Sequence, residues 1–251
     1  MEIKIAHLYP ELLNLYGDRG NIDVLTKRCK WRKIKVILNK VNLGKRFSGR
    51  SDIYVIGGGQ DEDEYKVYKD LIKHRYQINK LVEDGKVFLC LCAGLQLFGK
   101  YFIDGLGRKI EGLGILDIET KAPSDNVRDR SIGNIVIEMN NKVFDMRKMQ
   151  KTTLVGFENH IGQTFLGSKV MPLGEVIRGR GNNTIDNTEG AVYKNVFGSY
   201  LHGPLLPKNP HFADYLISLA LKRKYRNFKK LKKLDDNDEF YAHEYILDQV
   251  K

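Results

Sequence analysis

The residues with the clearest capacity for chemistry lie in VFLCLCAGLQLFG, positions 87–99. An apolar run of strand character leads into small residues and then into a helical pattern. Cys92 stands at the junction, in the form Cys92-Ala93-Gly94-Leu95-Gln96. A nucleophile on a strand-to-helix turn needs small neighbours, because its backbone is pinched while its side chain projects. The helix N-terminus beneath it is expected to lower the thiol pKa, and the Ala93 amide is free to donate to an oxyanion. A plainer reading keeps Cys90 and Cys92 as buried strand residues facing one side. A metal reading of Cys-x-Cys lacks a second Cys or His pair of suitable spacing.

A cysteine nucleophile needs a base, usually a histidine from elsewhere in the chain. Of the six histidines, His7, His74 and His243 fall in a first strand, a charged helix and a charged tail. His211 follows Pro210 at a helix start and is expected to be exposed. His160 in GFENHIGQT and His202 in FGSYLHGPLL each end an apolar strand just before a glycine, a place from which a side chain reaches into a cleft. The third feature is YVIGGGQDEDE, positions 54–64. Glycines 57–59 after a buried strand let backbone amides approach a ligand closely. The cluster lacks the Lys-Ser/Thr ending of a P-loop, and the acids that follow would repel phosphate. An oxyanion or substrate-amide role fits better than nucleotide binding.

These residues require a frame that brings strand ends together. Ile3–His7, Ile34–Val41, Ile53–Ile56 and Val87–Leu91 read as strands, Ile22–Lys33 and Glu64–Glu83 as helices, with a further helix from about Gly94. The β-α-β rhythm implies a largely parallel sheet covered on both faces, whose ligands bind at the carboxyl ends of the strands. Then Ile132–Met139, Thr152–Phe157, Glu175–Arg178 and Ala191–Tyr200 read as strands, with GRGNNTIDN and YKN as hairpin signals. Helical periodicity returns over Lys208–Lys224. One α/β domain with an antiparallel extension is expected.

Composition narrows the classes. Hydrophobic residues make up 42% and charged residues 29%, as in ordinary globular proteins. The longest uncharged apolar stretch, Val87–Leu95, is about half of a bilayer crossing. No signal-peptide hydrophobic segment is read at the N-terminus, and three cysteines suggest a reducing cytoplasm rather than a disulfide framework. The net charge of +11 invites a nucleic-acid reading, but much of it is local: eight of twelve residues from Lys222 to Lys233 are Lys or Arg. Acids follow at Asp235, Asp236, Asp238 and Glu239, so the tail reads as a charge-segregated, solvated helix or arm.

Together these pieces resemble the class I, or triad, glutamine amidotransferases, in which C-x-G-x-Q marks the nucleophile elbow. Within them the chain resembles the cobyric acid synthase-type branch. More narrowly, it is similar to glutaminase subunits serving the amidation of the stem-peptide D-glutamate in lipid II, the peptidoglycan precursor. LNLYGDRGNI (13–22), IGGGQDEDE (56–64), LCAGLQLFG (91–99), EGLGILDIET (111–120), GFENHIGQT (156–164) and GSYLHGPLLPKNP (198–210) carry the likeness.

The resemblance implies a flavodoxin-like α/β fold over 1–221, with 222–251 as a charged arm for partner docking. It implies Cys92 as nucleophile, His202 as base, and amides of Ala93 and Gly58 or Gly59 as the oxyanion hole. Arg130 would bind the glutamine carboxylate, with Arg128 as a neighbouring rival, and no metal is expected. It implies a heterodimer with a Mur ligase-like synthetase that carries ATP and Mg²⁺, with lipid II as acceptor on the complex.

Two positions depart from the pattern. Pro204 stands where many relatives carry an acid two residues after the histidine, which leaves a dyad, Glu158 or a partner-supplied carboxylate. Cys90 stands where glycine or alanine is usual. The competing readings are a glutaminase for a cobyrinate-type acceptor and a non-catalytic binding module of the same fold.

Overall fold

The computed structural model describes residues 1–123, 126 and 129–249. The first half runs β1 (Glu2–Leu8), α1 (Arg19–Trp31), β2 (Lys35–Val41), β3 (Ile53–Ile56), α2 (Asp61–Leu71), α3 (Arg75–Glu83), β4 (Val87–Leu91) and α4 (Ala93–Phe98). The second half holds β5 (Tyr101–Ile103), β6 (Lys109–Glu111), β7 (Ile118–Lys121), β8 (Ser131–Met139), β9 (Thr153–His160) and β10 (Gln163–Leu166). It continues with β11 (Gly174–Arg178), β12 (Thr188–Glu189), β13 (Ala191–Tyr193), β14 (Val196–Ser199), α5 (Pro210–Lys224) and α6 (Asn237–Gln249).

Six strands form the central sheet in the order β13-β14-β4-β3-β1-β2, parallel throughout except for β13 at the edge. Its middle strands are apolar on both faces, as a parallel sheet covered on both sides demands. Along β4, Val87, Leu89 and Leu91 point into one core with α1 and α5, while Phe88 and Cys90 point into the other with α2, α3 and α4. The register aligns three carboxyl ends, with Cys90 beside Ile56 and Leu91 beside Ser199. The residues immediately after β3, β4 and β14 therefore emerge side by side.

The antiparallel extension forms two further four-stranded sheets, β10-β7-β5-β6 and β12-β11-β8-β9. In the second, Phe157 of β9 exchanges both backbone hydrogen bonds with His202, at 3.2 and 2.8 Å. That bridge fixes the segment after β14.

Several expectations need correction. The single helix over 64–83 is two helices joined by a 3₁₀ turn at Ile72–His74, where His74 packs on Phe47 with ring centroids 5.3 Å apart. Leu71 and Ile78 lie about two helical turns apart, so the apolar period runs through the bend without marking it. The strand read over 191–200 is the β13–β14 hairpin, turned at Lys194 with φ 52°. His211 is buried rather than exposed, with Nε2 3.0 Å from the Thr153 carbonyl oxygen, because α6 folds over it and sets Phe240 against its ring.

The basic arm keeps its run of lysines in solvent while other residues of the arm pack on the body. Its lysines from 229 to 233 face outward, but Tyr225 bonds the Glu2 backbone through its hydroxyl, and Asp236 and His243 are buried. The Arg28 guanidinium of α1, itself buried, reaches Asp214 at 2.7 Å and Asp236 at 2.6 and 3.0 Å. Truncating one member of a buried ionic group strands the others. Arg28→Ala should therefore lose about 3–5 kcal/mol in urea unfolding, whereas Arg147→Ala, at an exposed pair with Asp145, should leave the curve in place.

Candidate active site

Cys92 follows β4 directly and adopts φ 50° and ψ −107°. Such a conformation costs a non-glycine residue about 1–3 kcal/mol and persists only where its surroundings dictate it. Here the Cys92 N–H donates to the Ser199 carbonyl at 2.9 Å, and the Cys92 carbonyl accepts from Gln96 N–H at 3.1 Å. Gly94 must be glycine, since a Cβ there would lie 2.9 Å from the Ile56 carbonyl oxygen. Cys92 therefore lies just past the end of β4, at the entry to α4, while remaining buried in the same core cluster as Cys90.

His202, three residues beyond β14, and Gly58, two residues beyond β3, converge on the same point. A methyl group on Gly58 would sit 3.1 Å from Cys92 Cβ, 3.2 Å from His202 Cε1 and 3.4 Å from the Tyr16 ring. Tyr16 in turn packs on the His202 imidazole with centroids 4.3 Å apart. Neither ring nitrogen of His202 has a hydrogen-bond partner among the described residues. Glu158 does not orient it: that carboxylate accepts from the amides of Arg180 (2.8 Å) and Gly181 (3.0 Å). Pro204 packs against Gly20 instead of supplying an acid.

The electrostatics corrects the expectation of a lowered thiol pKa. Burial pushes the Cys92 thiol well up, and the carboxylates of Glu64 and Asp18 push it further. The Ala93 N–H and the Arg130 charge oppose this and lose. Burial, with the charges of His160 and Arg130, holds His202 down at about 3. Both shifts favour the neutral thiol and the neutral imidazole in the resting site, and no hydrogen bond joins the two.

Arg130 lines the cleft wall, donating from Nε to Asn159 Oδ1 (3.0 Å) and from Nη2 to the Asn159 carbonyl (3.2 Å) and the Tyr16 hydroxyl (3.3 Å). Arg128 lies outside the described residues. The cleft, about 670 Å³, is bordered also by Gly59, Asp61, Glu62 and Arg108. Its lining combines the cations Arg108 and Arg130 with the carboxylates Asp61 and Glu62, Arg108 pairing with Glu62 at 3.4 Å; such a mixture suits a zwitterionic amino acid, and a guanidinium fork suits its carboxylate. His160 stands apart from this cleft as a packing residue, stacked on Tyr200 at 3.7 Å with Nδ1 on the Gly162 carbonyl at 2.9 Å.

Three neighbours of the thiol were not singled out from the sequence. Tyr16 and Asp18 lie inside LNLYGDRGNI, and Asp18 Oδ2 accepts the Gly58 N–H at 2.8 Å. That contact engages one of the amides expected to hold an oxyanion, Ala93 and either Gly58 or Gly59. Glu64, buried on α2, faces Gln96. With the Gln96 amide oriented to accept from the Tyr200 hydroxyl at 3.1 Å, its nitrogen donates to Glu64 Oε1 at 3.1 Å. The only sequence signal for this pair was the glutamine of the elbow pattern.

The neutral resting pair makes a measurable demand. Peptide-resolved alkylation of Cys92 by iodoacetamide should keep accelerating with pH past the ordinary thiol range, without a plateau near neutrality. A plateau there would mean a stabilised thiolate.

Comparison with known proteins follows the same lines. A family model described as the CobB/CobQ-like glutamine amidotransferase domain matches residues 4–210. The chain is 40% identical over 250 residues to the lipid II isoglutaminyl synthase (glutamine-hydrolyzing) subunit GatD of Staphylococcus aureus, covering 99% of this chain and 96% of that one. It is 41% identical over 225 residues to the subunit of the same name from Streptococcus pneumoniae, covering 89% and 82%. A cobyric acid synthase of Caldanaerobacter subterraneus is 28% identical over 84% of this chain, which spans 41% of that protein. Among solved structures, the glutaminase domain of Trypanosoma brucei CTPS with bound acivicin superposes with TM-score 0.55 at 11% identity, covering 92% of this chain and 98% of that one, a likeness of fold.

Proposed function

The chain belongs to the CobB/CobQ-like glutamine amidotransferase family, and on that footing we propose that it is the glutaminase subunit of a lipid II isoglutaminyl synthase. The observation that carries the reading is the convergence of Cys92, His202 and Gly58 on one point at the ends of three neighbouring strands.

In this reading Arg130 binds the carboxylate of glutamine and presents its side-chain amide to Cys92. His202 takes the thiol proton as sulfur attacks the amide carbon, and the resulting oxyanion is held by backbone amides, Ala93 first. The C–N bond then breaks, His202 returns the proton to nitrogen, and ammonia leaves a γ-glutamyl thioester. Water, deprotonated by His202, hydrolyses the thioester to glutamate and restores the thiol.

A base needs an orienting group to hold the productive tautomer. With Glu158 spent on backbone amides and both His202 nitrogens unpartnered, a carboxylate from a synthetase partner fits best. Its arrival would couple glutamine hydrolysis to assembly. The synthetase, of Mur ligase type and supplied with ATP and Mg²⁺, would phosphorylate the stem-peptide glutamate of lipid II and receive the ammonia, in the cytoplasm. The outward lysines of the arm offer it a docking face.

Ammonia release from glutamine tests the assignment. Native protein should release it, faster with the synthetase present, and Cys92→Ala and His202→Ala should each lose roughly three orders of magnitude or more. Arg130→Ala should act mainly through KM for glutamine. Full unstimulated activity in the isolated chain would remove the case for a partner-supplied acid.

A further inference from the structure

Asp18 stands just before α1, where a carboxylate ordinarily caps a helix. It makes no capping bond, and Asn14 Oδ1 takes the Arg19 N–H instead, at 2.7 Å. The Asp18 side chain is turned inward and fully buried, with Oδ2 on the Gly58 N–H and Oδ1 without a partner among the described residues. A buried carboxylate oxygen left unpaired opposes folding, so stability does not explain this placement. The contact also holds the backbone around Gly58. The Gly57–Gly58 peptide is gripped at both ends, its N–H by Asp18 and its carbonyl by Gly94 N–H at 3.2 Å, while the Gly58 carbonyl accepts from Leu15 N–H at 3.0 Å.

We propose that Asp18 is a latch on the second oxyanion donor: it keeps the Gly58 N–H on its own carboxylate, and the ready site forms when that peptide turns its N–H to the substrate carbonyl. The inference rests on the glutaminase reading above and adds a positioning residue to it. Glycine on both sides of the peptide makes the rotation accessible, since no Cβ restricts either neighbour to the common half of backbone space. The same short segment also touches His202 and Arg130. Tyr16 packs on His202 and bonds Arg130, Gly20 lies against Pro204, and Leu15 is 51% exposed. Glutamine on Arg130, or a protein settling on Leu15, would therefore bear on the latch through its own backbone.

Asp18→Asn separates a latch from a permanent brace, because the amide keeps the shape and can satisfy the Gly57–Gly58 peptide in either orientation. A latch predicts that glutaminase activity of the chain alone rises about ten-fold, the worth of one charge-assisted hydrogen bond, while the rate with the synthetase stays near native. Equal loss in both states, or no change in either, overturns it.

The native protein offers a second reading, through a crystal structure with the γ-aldehyde analogue of glutamine. The Cys92 sulfur adds to the aldehyde carbon, the thiol proton passes to the oxygen or to His202, and a thiohemiacetal results. Gly58 N within hydrogen-bond distance of the adduct oxygen supports the latch, and Gly58 N still on Asp18 refutes it. If no adduct forms on Cys92, the glutaminase reading itself fails and takes the latch with it.

Discussion

Cys92 can hold its positive φ because the strands on both sides of β4 end level with it. Ser199, ending β14, receives the Cys92 N–H, and Gly57, just beyond β3, receives the N–H of Gly94. The parallel register of β3, β4 and β14 thus determines the backbone of one residue and the meeting of three. A slip in either pairing would part His202 or Gly58 from the thiol, which is why the site lies at the carboxyl edge of the sheet and nowhere else.

The interior that creates this geometry also disfavours charge on the pair. Burial raises the thiol and lowers the imidazole, and the nearby carboxylates of Glu64 and Asp18 reinforce the first effect. An ion pair of thiolate and imidazolium is therefore disfavoured until something changes the charge balance. Substrate bound at Arg130, an acid brought to His202, or movement of the Tyr16–Asp18 segment would each do so. A thiol held in its neutral form is a weaker nucleophile than its thiolate, so the resting site favours slow turnover until that balance shifts.

Much of this was legible in the sequence, and the boundary is physical. The strands β3 and β4 match the apolar runs residue for residue, because a buried parallel strand reads as an unbroken apolar segment. The Cys92 elbow was visible in the small residues it needs. The bend after Leu71 was not, since the apolar period passes through it. Nor was the burial of His211, which depends on α6 arriving from the far end of the chain. The solvated lysines of the basic run were legible, but the anchoring of the arm to the body by Tyr225, Asp236 and His243, between and beyond them, was not. Asp18 could be seen only as a helix-start residue. Its inward turn to Gly58 is a tertiary contact across 40 positions, with no local pattern to announce it.

The most direct test is peptide-resolved mass spectrometry of the chain quenched in acid during turnover of glutamine. The account predicts a γ-glutamyl group on the Cys92 peptide, absent from the peptides of Cys29 and Cys90. Ammonia release with no acyl group on Cys92, or with one on another cysteine, would contradict it.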